Sequence, residues 1–100
     1  MPESDITLDA TVQATKNQVS SDLAGESIIL SLQTAKYYGL GQVGARIWEL
    51  VQQPIRVLDV RDRILDEYDV EPERCDKDVI ALLGQLASEG LIEVRAPNAP

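Results

Sequence analysis

Catalytic chemistry has few places to start in this chain. There is no His, so the Ser–His and Cys–His pairs that generate a nucleophile are absent. The single thiol, Cys75, stands in "EPERCDKD", close to the expected start of a helix, where an N-terminal dipole lowers a thiol's pKa. Glu73, Asp76 and Asp78 surround it and act in the opposite sense, so Cys75 reads as a small residue packed on a helix face. The acids of "RDRILDEYD", including Asp62, Asp66 and Asp69, fall at helical surface spacings beside Arg61 and Arg63. That is the pattern of a solvated helix face rather than of an acid–base pair or a cation site. The glycines of "GLGQVG" do not have the spacing of a phosphate loop. The sequence therefore assigns no catalytic residue, no metal ligand and no cofactor.

Charge narrows the partners. The net charge is −8, with nine basic residues scattered among seventeen acids. Phosphate recognition needs clustered Lys and Arg, so nucleic acid and acidic membrane surfaces are both disfavoured. No apolar run approaches the ~20 residues of a membrane span. The opening "MPESDITLDA" lacks the basic and apolar regions of a signal peptide, and one cysteine makes no internal disulfide. These features suit a reducing cytoplasm. The length reads as a single domain over 1–100, its core about residues 6–94 and its ends frayed.

The elements that would position any site follow from periodicity. "ITLDATVQAT" alternates at Ile6, Leu8, Ala10 and Val12; "NQVSSDL" follows, with Val19 and Leu23 expected inward. Gly25 punctuates the turn "AGE" before "SIILSLQT", the most apolar strand. Ile28, Leu30 and Leu32 are expected on its core side, with Ile29 opposite. Three short strands joined by short turns predict an antiparallel meander.

Helical spacing then takes over. A first helix is expected over about Gly41 to Gln53, stopped by Pro54, with Val43, Ile47, Leu50 and Val51 on one side. A second runs from Val57 to Tyr68 with Val57, Val60, Ile64 and Tyr68 inward, and Arg56 is a poor cap for it. The third starts near Pro72 and ends before Gly90, with Val79, Leu82, Leu83 and Leu86 in a stripe that Ile80 and Ala87 widen. Gly84 in its middle costs ~1 kcal/mol against Ala. "LIEVR" closes the fold as a short extended segment. The class is α+β: a three-stranded antiparallel sheet followed by three helices packed on one face.

An open meander has two edges, and edges are usually blunted by Lys or Pro. Residues Ser27 to Thr34 contain neither. An extended peptide adding to this strand is one reading of them. A helix or a second copy covering the edge is another, as is a strand wholly in the core. A plain dimerisation domain would use the same edge, and a winged-helix nucleic-acid binder would share the helix order.

The order of several short motifs resembles the PqqD-like family, the peptide-recognition domains of ribosomal peptide-modification pathways. The matching pieces are Tyr37-Tyr38-x-Leu40 at the entry to the first helix, Ile47-Trp48-Glu49-Leu50, Tyr68-Asp69-Val70-x-Pro72, and Asp78-Val79 with Leu83, Leu86 and Gly90-Leu91. Gly41 and Arg56 depart from the Asn or Asp and the Thr usual at those helix caps. The resemblance implies a winged-helix-like, non-catalytic domain. It would capture the leader of a precursor peptide by strand addition to residues 27–33 against the helix 72–89. The residues so implied are Ile28, Ile29, Leu30, Ser31, Leu32, Gln33, Asp76, Val79, Leu82, Leu83 and Leu86. The chain is most similar to discrete leader-binding proteins of lasso-peptide pathways. That implies a separate cysteine protease as partner, with a cyclase beside it.

Overall fold

The computed structural model describes residues 6–95, apart from the side chain of Leu23; the expectations for the termini and for that side chain lie outside these residues. Val12 enters the core on a first strand, β1 (Thr11–Ala14). Its partners come from far along the chain. β1 pairs antiparallel with β5 (Ile55–Arg56) on one side and β6 (Ile92–Arg95) on the other, placing Val12 beside Ile55 and Val94. A second antiparallel sheet has the order β2 (Gln18–Leu23), β3 (Glu26–Ser31), β4 (Tyr37–Leu40). The class is α+β as expected, but the first predicted strand does not join the meander. Alternation shows which face of a strand is apolar and says nothing about its partner. β6 supplies four residue pairs to β1 that the local sequence does not reveal.

The β2–β3 hairpin closes through Ala24 (φ 52°) and Gly25 (φ 83°), both in the left-handed region. A two-residue turn of this type matches the twist of the strands it joins. β3 then turns through residues 32–35, with Ala35 at φ 59° and the Ser31 amide donating to the Lys36 carbonyl at 2.9 Å. This turn launches β4, a strand where the sequence predicts only the entry to a helix.

The facing of β3 is the reverse of the expectation. Ser27, Ile29 and Ser31 are buried, Ile29 completely, whereas Ile28 is 40 % exposed and Leu32 58 %. The small serines leave room on the inner face, and their hydroxyls are satisfied locally. Ser27 Oγ donates to Asp22 Oδ1 at 2.6 Å, and Ser31 Oγ accepts from the Thr34 amide at 3.3 Å. A hydroxyl with a partner can be buried at little cost, so the more polar face of this strand is the inner one.

The helices fall near their expected places: α1 (Gln42–Leu50), α2 (Val57–Glu67) and α3 (Pro72–Ser88). Gly41 and Arg56 stand at the N-caps of α1 and α2 without side-chain capping bonds, and Gly90 follows α3 with φ 74°. Ile47, Trp48, Val51, Val57, Val60, Ile64, Val79, Leu83 and Leu86 make the helical part of one apolar core with Ile29, Leu91 and Ile92. α1 lies on β3 and β4, α2 packs on α3, and α3 packs on β6.

Candidate functional site

β3 is the central strand of its sheet. β2 occupies one of its edges from Gln18↔Ser31 to Leu23↔Glu26, and β4 the other from Ser27↔Leu40 to Leu30↔Tyr37. A peptide cannot add to residues 27–31, because their backbone groups are already paired. The expectation of strand addition at 27–33 is corrected on this ground.

The open edge belongs to β4. Among the described residues β4 pairs only with β3. The Ser31–Lys36 bond fixes the ladder: the hydrogen-bonded pairs are Ser31–Lys36, Ile29–Tyr38 and Ser27–Leu40. The amides and carbonyls of Tyr37 and Gly39 therefore point away from β3, along the free side of the sheet. Tyr38 and Leu40 turn their side chains inward with Ile29, and Tyr37 turns outward and is 72 % exposed.

Beside that edge lies a cleft of about 290 Å³. Tyr37, Tyr38, Gly39 and Leu40 form one wall, and Leu82, Gln85, Leu86 and Glu89 form the other. Those four positions, on α3 and its C-cap, fall at i, i+3, i+4 and i+7 and so share one helical face. The Tyr38 hydroxyl donates to Glu89 Oε1 at 2.5 Å and ties strand to helix at one end. That bond, with burial and the carboxylate's charge, pushes the phenol's pKa up. Gly44 of α1 lets Leu40 and Leu82 pack closely: a Cβ there would sit 3.3 Å from Leu40 Cβ and 3.7 Å from Leu82 Cδ2.

The residues expected at the site disperse. Ile28 and Leu30 lie on the outer face of the sheet, Ile29 is core, and Ser31 is buried at the turn. Leu32 and Gln33 are exposed beyond the strand. Asp76 accepts from Arg61 of α2 at 2.9 Å and so belongs to the α2–α3 contact. Val79 and Leu83 are core, and only Leu82 and Leu86 line the cleft. Sequence reasoning missed Tyr37, Tyr38, Gly39, Leu40, Gln85 and Glu89. Two adjacent aromatics bounded by Lys36 and Gly41 were the available strand signal.

Cys75 is buried against α2 and directs its thiol toward the Arg61 carbonyl at 3.9 Å. Burial and the charge of Asp76 push the thiol pKa up, away from nucleophilic use. Among the described residues no three His, Cys, Asp or Glu side chains are grouped to hold a metal ion. No described helix is long and apolar enough to cross a membrane.

Unpaired backbone groups beside a helix-lined cleft with an apolar floor at Leu82 and Leu86 make up the equipment of a domain that accepts an extended segment as an added strand. The chain belongs to the PqqD family, matching the family described as Coenzyme PQQ synthesis protein D (PqqD) over residues 26–92. Among solved structures it is similar to "TbiB1 in Complex with the TbiA(beta) Leader Peptide", at 34% identity and TM-score 0.75, over 81% of this chain and 94% of that one. It also shares the fold of "Lasso peptide synthetase B1 complexed with the leader peptide", at 20% identity and TM-score 0.71, over 82% of this chain and 96% of that one. No curated protein sequence matches it.

Proposed function

We propose that this chain binds the leader segment of a ribosomally made precursor peptide as a strand added to β4. The observation that carries the reading is the unpaired edge at Tyr37 and Gly39 beside the cleft lined by Leu82 and Leu86. Backbone pairing supplies affinity, and alternate leader side chains entering the cleft supply selectivity. The likeness to TbiB1, solved with a leader peptide, supports the same ligand class. The chain acts as a non-catalytic carrier in the cytoplasm of a lasso-type pathway. It presents the leader to a separate cysteine protease, with a cyclase acting on the released core.

The test is titration with the fluorescently labelled leader of the precursor encoded beside the gene, read by anisotropy, with amide exchange followed in the complex. Saturable binding that slows exchange at Tyr37 and Gly39 is the expected result. Binding that leaves both amides unprotected, or no binding at all, overturns the assignment.

A further inference from the structure

The outer face of the β2–β3–β4 sheet exposes apolar side chains next to the open edge, with Glu26 the charge of the row beyond. Two cross-strand rows run over it. One is Val19–Leu30–Tyr37 and the other Ser21–Ile28–Gly39, and neither carries a charge. Val19 is 52 % exposed. The second row ends at the open edge in a residue with no side chain, and a Cβ at Gly39 would meet nothing within 4 Å. Gly39 thus leaves a notch at the edge, with exposed Ile28 behind it on β3 and Tyr37 two positions along β4.

Resting on the strand-addition reading above, we infer that this notch is a second selectivity element, which takes a large apolar or aromatic side chain from the outward face of the bound peptide. The geometry of pairing requires an occupant. A strand added to β4 alternates its side chains, so every residue between two cleft-facing residues points to the outer face. The outward residue opposite Gly39 lies over bare backbone and reaches Ile28, while its neighbour two positions away extends the Val19–Leu30–Tyr37 row. An aromatic side chain laid across a cross-strand glycine covers apolar surface that the glycine leaves bare. The peptides this chain takes are therefore apolar on both faces over the paired segment, with the bulkiest outward residue opposite Gly39.

The probe is a displayed library of random 15-residue peptides (a length on the order of a few strand lengths), selected on the wild-type chain, on Gly39→Val and on Tyr37→Ser. Gly39→Val fills the notch with a strand-compatible side chain in open space. Tyr37→Ser removes a side chain that contributes little to the core. On the wild type, large apolar residues should be enriched at one position between the cleft-facing ones. Gly39→Val should shift that position to small residues and weaken a wild-type-selected peptide about fivefold, with the cleft-facing preferences retained. Tyr37→Ser should lower the outward enrichment if Gly39→Val fails to fold. Selected peptides that protect the Tyr37 and Gly39 amides but show the same outward residues on all three proteins overturn the notch and leave strand addition standing. Selected peptides that protect neither amide overturn both.

Discussion

Leu82 and Leu83 are adjacent, of one type, and assigned to different tasks by a rotation of one residue along α3. Leu83 is in the core and Leu82 lines the cleft. Leu83→Asp puts an unpaired carboxylate in an aliphatic interior, which costs several kcal/mol and should abolish the cooperative melt. Leu82→Asp should melt near the parent temperature yet bind leader about tenfold more weakly, or ~1.4 kcal/mol. Anisotropy and thermal melts on the pair decide it, and a folded Leu82→Asp that binds like the parent removes the cleft from the contact. A second residue-scale test concerns Arg46, whose guanidinium bonds Glu67 at 2.8 Å and 2.9 Å. That contact holds the Glu67 carboxyl below its usual value of 4.5. A carboxyl depressed in the folded state adds stability above its unfolded value, and the gain is lost as pH falls through the folded one. The stability difference between parent and Glu67→Gln should therefore be constant above about pH 5 and shrink at more acid pH. A difference that stays the same on acidification would show the ion pair to be irrelevant.

At the scale of elements, β4 is short and has an open edge, so its backbone can be altered without touching the ladder to β3. The Gly39 amide points outward, and proline is tolerated where the missing N–H faced solvent. Gly39→Pro should leave the fold intact and weaken leader binding by about tenfold, since one edge donor is lost and the strand cannot pair through it. Retained affinity in a folded Gly39→Pro would argue against strand addition. The β2–β3 turn offers the converse, a change that helps. Ala24 sits at φ 52°, a position that Asn occupies more readily. Ala24→Asn should raise stability by about 0.5–1 kcal/mol in a denaturant titration without affecting binding. What the sequence made legible follows from the same physics. The helices were readable because Pro54, Pro72 and Gly90 mark their limits and their apolar residues recur at helical spacing. β4 was not, because four residues containing a glycine offer too little pattern. The inward face of β3 was misread because satisfied serines took the core side. The join of β1 to β6 was invisible because local alternation does not encode a partner some eighty residues away (Val12↔Val94). Each difference moves the candidate cleft from β3 to β4, and α3 still faces it.

For the molecule as a whole, charge decides between peptide and nucleic acid on a helix order that both could use. A recognition helix needs a basic surface, and its partner surfaces need free cations for phosphate. α3 carries Glu73, Asp76 and Asp78, with Glu89 at its end, against Arg74 and Lys77. Several cations are already engaged: Arg46 with Glu49 and Glu67, Arg56 with Asp59, Arg61 with Asp62 and Asp76, and Arg74 with Asp78. The remaining basic residues face a net charge of −8. Each phosphate contact would have to be made against that field, and a Debye length of about 8 Å at physiological salt leaves the nearby carboxylates of α3 unscreened at contact. Duplex DNA should therefore show no complex in a gel-shift titration at physiological salt. Lowering the salt lengthens the repulsion as well as the attraction, so a net-acidic face gains nothing from it, whereas a hidden basic patch would reveal itself by binding that strengthens steeply as salt falls. A micromolar complex with that salt dependence would return the chain to the nucleic-acid reading. Its absence, together with leader binding that changes little with salt, is the outcome expected of a contact built from backbone pairing and apolar side chains.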